Sequence, residues 1–164
     1  MNLFWATKAL SEDGVKACYL HVGAGWDEDS EKATAKNLGL DGLVIFTGNR
    51  KDVPELLLAA DIYLMPSSTE GLSIALLEGM YYNNLAIVNN ARGLANVVAD
   101  KQTGYVIDVA EPLNYLNFIK DIVANKVDTS IVKAGAKAFV EENYVVEKNA
   151  AKLIEFYKLK KVNY

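Results

Sequence analysis

The sequence is poor in the residues that carry redox and metal chemistry. Of 164 residues, one is cysteine, Cys18, and one is histidine, His21. A single cysteine excludes an internal disulfide framework and any multi-cysteine metal site. Cys18 falls in an apolar stretch, where it is expected to behave as a small buried hydrophobe. No His/Cys/Asp cluster suggests a bound metal. Positive charge is not in excess either: the formal net charge is −4. Without a basic stripe to neutralise phosphates, nucleic-acid binding is excluded. No apolar run approaches the roughly 20 residues of a membrane span. The opening MNLFWATKALSEDG lacks the charged start, long apolar core and cleavage site of a signal peptide. These absences fit a cytoplasmic chain. There is no internal repeat and no low-complexity segment.

What is present is an ordinary globular composition, 51% hydrophobic and 23% charged. The length predicts one domain over residues 1–164. A chain of this size buries about 68–70% of its unfolded surface, enough for a real core. Apolar runs of strand length alternate with helical patterns. Strands are predicted at Lys16–Val22, Leu43–Thr47, Ile62–Met65, Leu85–Val88 and Gly104–Ile107. Helices are predicted at Asn2–Glu12, from Asp27 to Leu38, and from Pro54 to Ala60. They continue from Ser73, briefly at Leu94–Asp100, and then at Leu113–Ala124, Ile131–Glu142 and Val146–Lys160. This order predicts an α/β fold with a Rossmann-like, doubly wound parallel sheet and right-handed crossovers. The basic tail Lys152–Lys161 is expected to pack on the sheet with a solvated lysine face, with a membrane-surface or partner-domain role as the alternative.

The chain is organised around LMPSSTEGLSIALLEGM, residues 64–80. Pro66 cannot donate to a ladder and closes the preceding strand. Gly71 permits a turn that side chains forbid, and Ser73 is a good N-cap. A helix that begins at the carboxyl end of a strand presents unpaired N–H groups and partial positive charge. A phosphate docks there without a lysine. Glu78 lies about five residues into the helix, roughly 7 Å along its axis, the step from a diphosphate to a ribose. Its carboxylate can accept from two vicinal hydroxyls. Glu70, in the loop, could reach whatever hangs on the other end of the diphosphate. The same residues read equally as a solvated helix glutamate and a helix-dipole decoration.

EGLSIALLEGM resembles the E-x7-E signature of retaining glycosyltransferases of the family-4 type (group 1). Upstream, Val22-Gly23-Ala24-Gly25, Phe46-Thr47-Gly48, Asp52-Val53-Pro54-Glu55-Leu56-Leu57 and Ala60-Asp61-Ile62-Tyr63-Leu64-Met65-Pro66-Ser67 match the family's blocks in order and spacing. Thr103-Gly104-Tyr105-Val106 does so downstream. The similarity covers roughly residues 2 to 160. It implies one half of a GT-B fold, namely the C-terminal half that binds a UDP- or GDP-linked sugar. The acceptor-binding N-terminal domain would lie outside this chain, which reads as a fragment inactive alone. The complete enzyme could associate peripherally with a membrane and serve glycan or polysaccharide assembly. The family's opening strand, with its Arg/Lys loop on the diphosphate, has no counterpart here. The resemblance assigns Glu70 to the donor sugar, as the catalytic residue, and Gly71, Leu72 and Ser73 to the diphosphate turn. It assigns Glu78 to the ribose hydroxyls and Gly48, Asn49 and Arg50 to the nucleobase loop. No metal or other cofactor is implied. Departures from the pattern are Ser73, where Gly is common, the Tyr82–Leu85 stretch, and Arg92–Asn96 in place of GGxxE. Two other functions are weighed: an α/β interaction domain that has lost nucleotide binding, and a phosphosugar-processing enzyme of another type.

Overall fold

The computed structural model describes residues 3–108 and 112–160. Five strands alternate with seven helices: α1 (Leu3–Glu12), β1 (Tyr19–Val22), α2 (Glu28–Asn37), β2 (Val44–Gly48), α3 (Val53–Ala59), β3 (Ile62–Met65), α4 (Ile74–Tyr81), β4 (Leu85–Asn89), β5 (Tyr105–Ile107), α5 (Pro112–Val123), α6 (Ser130–Asn143) and α7 (Val146–Lys160). A single 3-10 turn, Leu94–Asn96, lies between β4 and β5. The predicted elements are present, with ends displaced by a few residues. Asn2 and Lys161, which bounded two of the predicted segments, lie outside the described residues.

Every strand pair is parallel, but the ladder is divided. β1 pairs with β2, with Tyr19 opposite Val44 and Leu20 opposite Ile45. β3, β4 and β5 form a second sheet, with Ile62 opposite Leu85 and Ile87 opposite Tyr105. β4 is its middle strand and is buried along its whole length, as its near-continuous apolar run demands of a strand covered on both faces. Alternation along β4 sends Ala86 and Val88 to one face and Leu85 and Ile87 to the other. The first face is covered by Leu76, Leu77 and Met80 of α4 and by Ala136 and Val140 of α6. The second is covered by Tyr115, Leu116 and Ile119 of α5 and by Leu10 of α1. A third cluster joins Phe4 of α1 to Ala35, Leu40 and Val44, with Tyr19 and Phe46 packed against it. α1 therefore touches both sheets.

Two expectations are corrected. Cys18 is exposed, because the β1 ladder begins one residue later, at Tyr19. The basic tail does not pack on the sheet: residues 151–158 of α7 are all exposed. Both faces of β3–β5 are occupied by α1, α4, α5 and α6 instead. Lys148 of α7 instead reaches back along α6, its Nζ donating to the Glu141 carbonyl at 2.9 Å.

Candidate functional site

The loop from Pro66 to Ser73 joins the carboxyl end of β3 to α4. Ser73 caps α4 as the sequence predicts: it is extended (φ −85°, ψ 108°) and its Oγ accepts from the Leu76 N–H at 3.3 Å. That leaves the first-turn N–H groups of Ile74 and Ala75 without an intrahelical acceptor. Gly71 and Leu72 are exposed immediately ahead of the cap.

The loop is held from the exit of β4. Asn89 Nδ2 donates to the Ser67 carbonyl at 3.0 Å. The Glu70 N–H donates to the Arg92 carbonyl at 3.4 Å, and Thr69 pairs with Arg92 in an isolated parallel bridge. Gly93 lies directly beneath. Its φ is +97°, and a Cβ added there would stand 2.0 Å from the Glu70 carbonyl oxygen and 2.9 Å from that of Gly71. Only glycine allows this approach. The Arg92–Asn96 segment, which departs from the family's pattern, thus still buttresses the first signature glutamate.

Glu70 is half-buried and Glu78 exposed. Both act on one phenol, that of Tyr63 on β3. Burial pushes the Tyr63 hydroxyl above its ordinary value, and the charges of Glu78 and then Glu70 add to the shift. Gly79, beside Glu78, lets α4 lie against that ring: an added Cβ would meet Tyr63 Cδ2 at 2.7 Å. Sequence reasoning missed Gly79, Asn89 and Gly93. The Gly in LLEGM and the Asn-Asn-Ala-Arg-Gly at a strand exit were the available signals, but their partners are distant in sequence.

Beside the motif runs an apolar groove of about 660 Å³, lined in part by Pro54, Leu57, Leu72, Ile74, Glu78 and Tyr81. Its volume lies within the range of about 300–1,000 Å³ that small-molecule sites occupy. Leu72 and Glu78 line it; Glu70 and the Gly48–Arg50 loop do not.

Gly48 takes a left-handed conformation (φ +61°), and its carbonyl accepts from the Gly23 N–H at 2.9 Å. The two glycine turns that follow β1 and β2 are thereby pinned together. Asn49 and Arg50 are exposed. Arg50 is turned onto Asp52, with Nε donating to Oδ1 at 2.8 Å and Nη2 to Oδ2 at 2.5 Å. The guanidinium holds the Asp52 carboxyl below its usual range. His21 packs between Tyr19 and Phe46, with Nε2 3.3 Å from Glu31. Among the described residues no cluster of three or more His, Cys, Asp or Glu could hold a metal. None of the described helices is long and apolar enough to cross a membrane.

Comparison with known proteins supplies the context. The family described as Glycosyl transferases group 1 matches residues 2–139. The putative glycosyltransferase EpsD of Bacillus subtilis is 30% identical over 121 residues, covering 74% of this chain and 32% of the relative. Among solved structures, Anabaena HepE in complex with UDP superposes with a TM-score of 0.83 at 21% identity, covering 96% of this chain and 44% of that one. The C-terminal domain of a group 1 glycosyl transferase, LpcC of Francisella tularensis, gives 0.75 at 18% identity, covering 88% and 78%. The chain spans about a third of the length of the curated relatives it matches.

Proposed function

The chain belongs to the glycosyl transferases group 1 family, and on that premise we propose that it is the donor-binding half of a retaining glycosyltransferase. It would take a sugar from a nucleotide diphosphate sugar, with a hexose as the transferred group. The observation that carries this reading is the start of α4, capped by Ser73, with Glu70 half-buried in the loop ahead of it and Glu78 exposed on the helix. A departing diphosphate gains charge as the glycosidic bond breaks. Preorganised N–H groups at a helix start meet that charge without reorganising. Glu78 accepts from the ribose hydroxyls, and Glu70 orients the donor sugar. Gly71, Leu72 and Ser73 carry the chain past the diphosphate, and Gly48, Asn49 and Arg50 flank the base. For Arg50 to contact a base it must leave Asp52, an exchange between exposed groups that costs little.

The UDP bound by Anabaena HepE makes uridine nucleotides the first donors to try. The acceptor site belongs to a second domain, so this chain alone binds donor without turnover. The reading places the protein in the cytoplasm, where nucleotide sugars are held, and calls for no bound metal. Calorimetric titration with UDP, GDP and ADP tests it. One diphosphate is expected to bind, with affinity lost in Glu78→Ala. Binding unaffected by that change would remove the ribose role. No binding by any of the three would favour an interaction domain that has lost its nucleotide.

A further inference from the structure

α7 presents an apolar face to solvent. Residues 151–158 are all exposed, and so are Val146 and Ala150. Val146, Ala150, Leu153 and Tyr157 recur at spacings of four, three and four residues, so they form one stripe along the helix. Val146, Leu153 and Tyr157 are 76%, 57% and 68% exposed. The stripe is continuous with the rest of the surface. Val146 also lines the apolar groove beside α4, together with Leu72, Ile74 and Tyr81. Groove and stripe thus make one apolar patch, of the kind that marks an interaction site. The start of α7 is tied to α6 by Lys148, whose Nζ donates to the Glu141 carbonyl at 2.9 Å.

We propose that this face joins two copies of the chain, with α7 of one lying antiparallel against α7 of the other. Three observations select that partner. The spacing of the stripe reads the same in both directions. Reversing one helix on the other sets Val146 opposite Tyr157 and Ala150 opposite Leu153, the smaller side chain against the larger each time. A two-fold interface requires such self-complementarity, because one patch must fit itself. Charge agrees with the same orientation. Glu147 and Lys158 stand eleven residues apart, three turns of helix, and so share one flank of the stripe. Antiparallel pairing brings Glu147 of each copy to Lys158 of the other; parallel pairing would bring like charges together. Finally, Val146 to Lys158 holds three lysines and two glutamates. A helix that lies on an anionic lipid surface carries a predominantly cationic polar face, and this one is mixed. Pairing also seats Tyr157 of the second copy against Val146, and so against the wall of the groove. The proposal goes beyond the donor site and does not rest on it.

Sedimentation equilibrium of the full chain tests it. The average mass is expected to rise from one chain toward two as concentration increases. Leu153→Asp places a charge in the middle of the stripe and should weaken association roughly tenfold or more. Leu153 lies outside the core clusters, so circular dichroism should show the fold retained. Glu147→Lys or Lys158→Glu alone should also weaken association, and the two together should restore it. That rescue reads the antiparallel orientation directly. A monomer at every concentration would overturn the proposal, and its capture by anionic vesicles would assign the face to lipid. A dimer indifferent to Leu153→Asp would overturn it too. So would charge changes whose effects add in the double variant instead of cancelling.

Discussion

Gly93→Ala is the substitution for which the structure gives the sharpest expectation. The methyl carbon would stand 2.0 Å from the Glu70 carbonyl oxygen, and real Cβ atoms essentially never approach within 3.0 Å. The loop must therefore retreat by at least about 1 Å, a displacement of the size that costs about 10²-fold in rate when it falls on reacting groups. Strain at φ +97° adds about 1–3 kcal/mol, and overpacking about 1–3 kcal/mol. A total of about 2–6 kcal/mol is expected, less whatever the exposed loop relieves by moving. That is a large share of a typical domain's 5–15 kcal/mol or so. Urea denaturation measures the stability and a nucleoside diphosphate titration reads the site. Gly25→Ala is the control: its φ is ordinary and an added Cβ meets nothing within 4 Å, so a change within about 0.5 kcal/mol is expected. If Gly93→Ala unfolds at the same urea concentration as Gly25→Ala, the buttress reasoning is wrong.

Other expectations follow from the same geometry. Gly79→Ala should cost about 1–3 kcal/mol by driving a methyl into the Tyr63 ring. A Tyr63→Leu change should recover part of that loss in a double-mutant cycle, and additive effects would refute the contact. Ser73→Ala removes the hydroxyl that accepts from the Leu76 N–H and should lower stability by about 1 kcal/mol; an unchanged urea midpoint would show the cap to be idle. Tyr19 and Tyr115 are pushed up to about 12, chiefly by burial. A phenol whose folded pKa exceeds its unfolded value of about 10 contributes stability that is intact below 10 and lost as pH rises toward 12. Ultraviolet titration should show two tyrosines ionising well after the exposed ones, together with alkaline unfolding; ionisation of all tyrosines near pH 10 in the folded chain would contradict this.

Much of this was legible from local pattern. The apolar run Ile62–Met65 closed by Pro66, and the Ser73 cap followed by Leu76, Leu77 and Met80, are signals contained within a few residues, and the structure has them where they were read. The sheet's division could not be read. A strand's pattern reports that its faces are covered, not which neighbour satisfies its edge. Cys18 is exposed for a related reason: the apolar stretch begins before the ladder does, which starts at Tyr19. α7 has the same amphipathic pattern as a packed helix, yet the faces of β3–β5 are covered by α1, α4, α5 and α6 and it stays exposed. Gly79 and Gly93 matter through the Tyr63 ring and the Glu70 carbonyl. Those contacts span sixteen and twenty-three positions of sequence, beyond any local pattern.

The central claim is that the start of α4 is a nucleotide-diphosphate site with Glu78 on the ribose. It is tested most directly by NMR chemical-shift titration of the chain with UDP, GDP and ADP, with Glu78→Ala beside it. The account predicts saturable shifts at Gly71–Ser73 and Gly48–Arg50 for one of the three, abolished or much weakened in the variant. Shifts confined to residues remote from α4, or identical shifts in the two proteins, would contradict it.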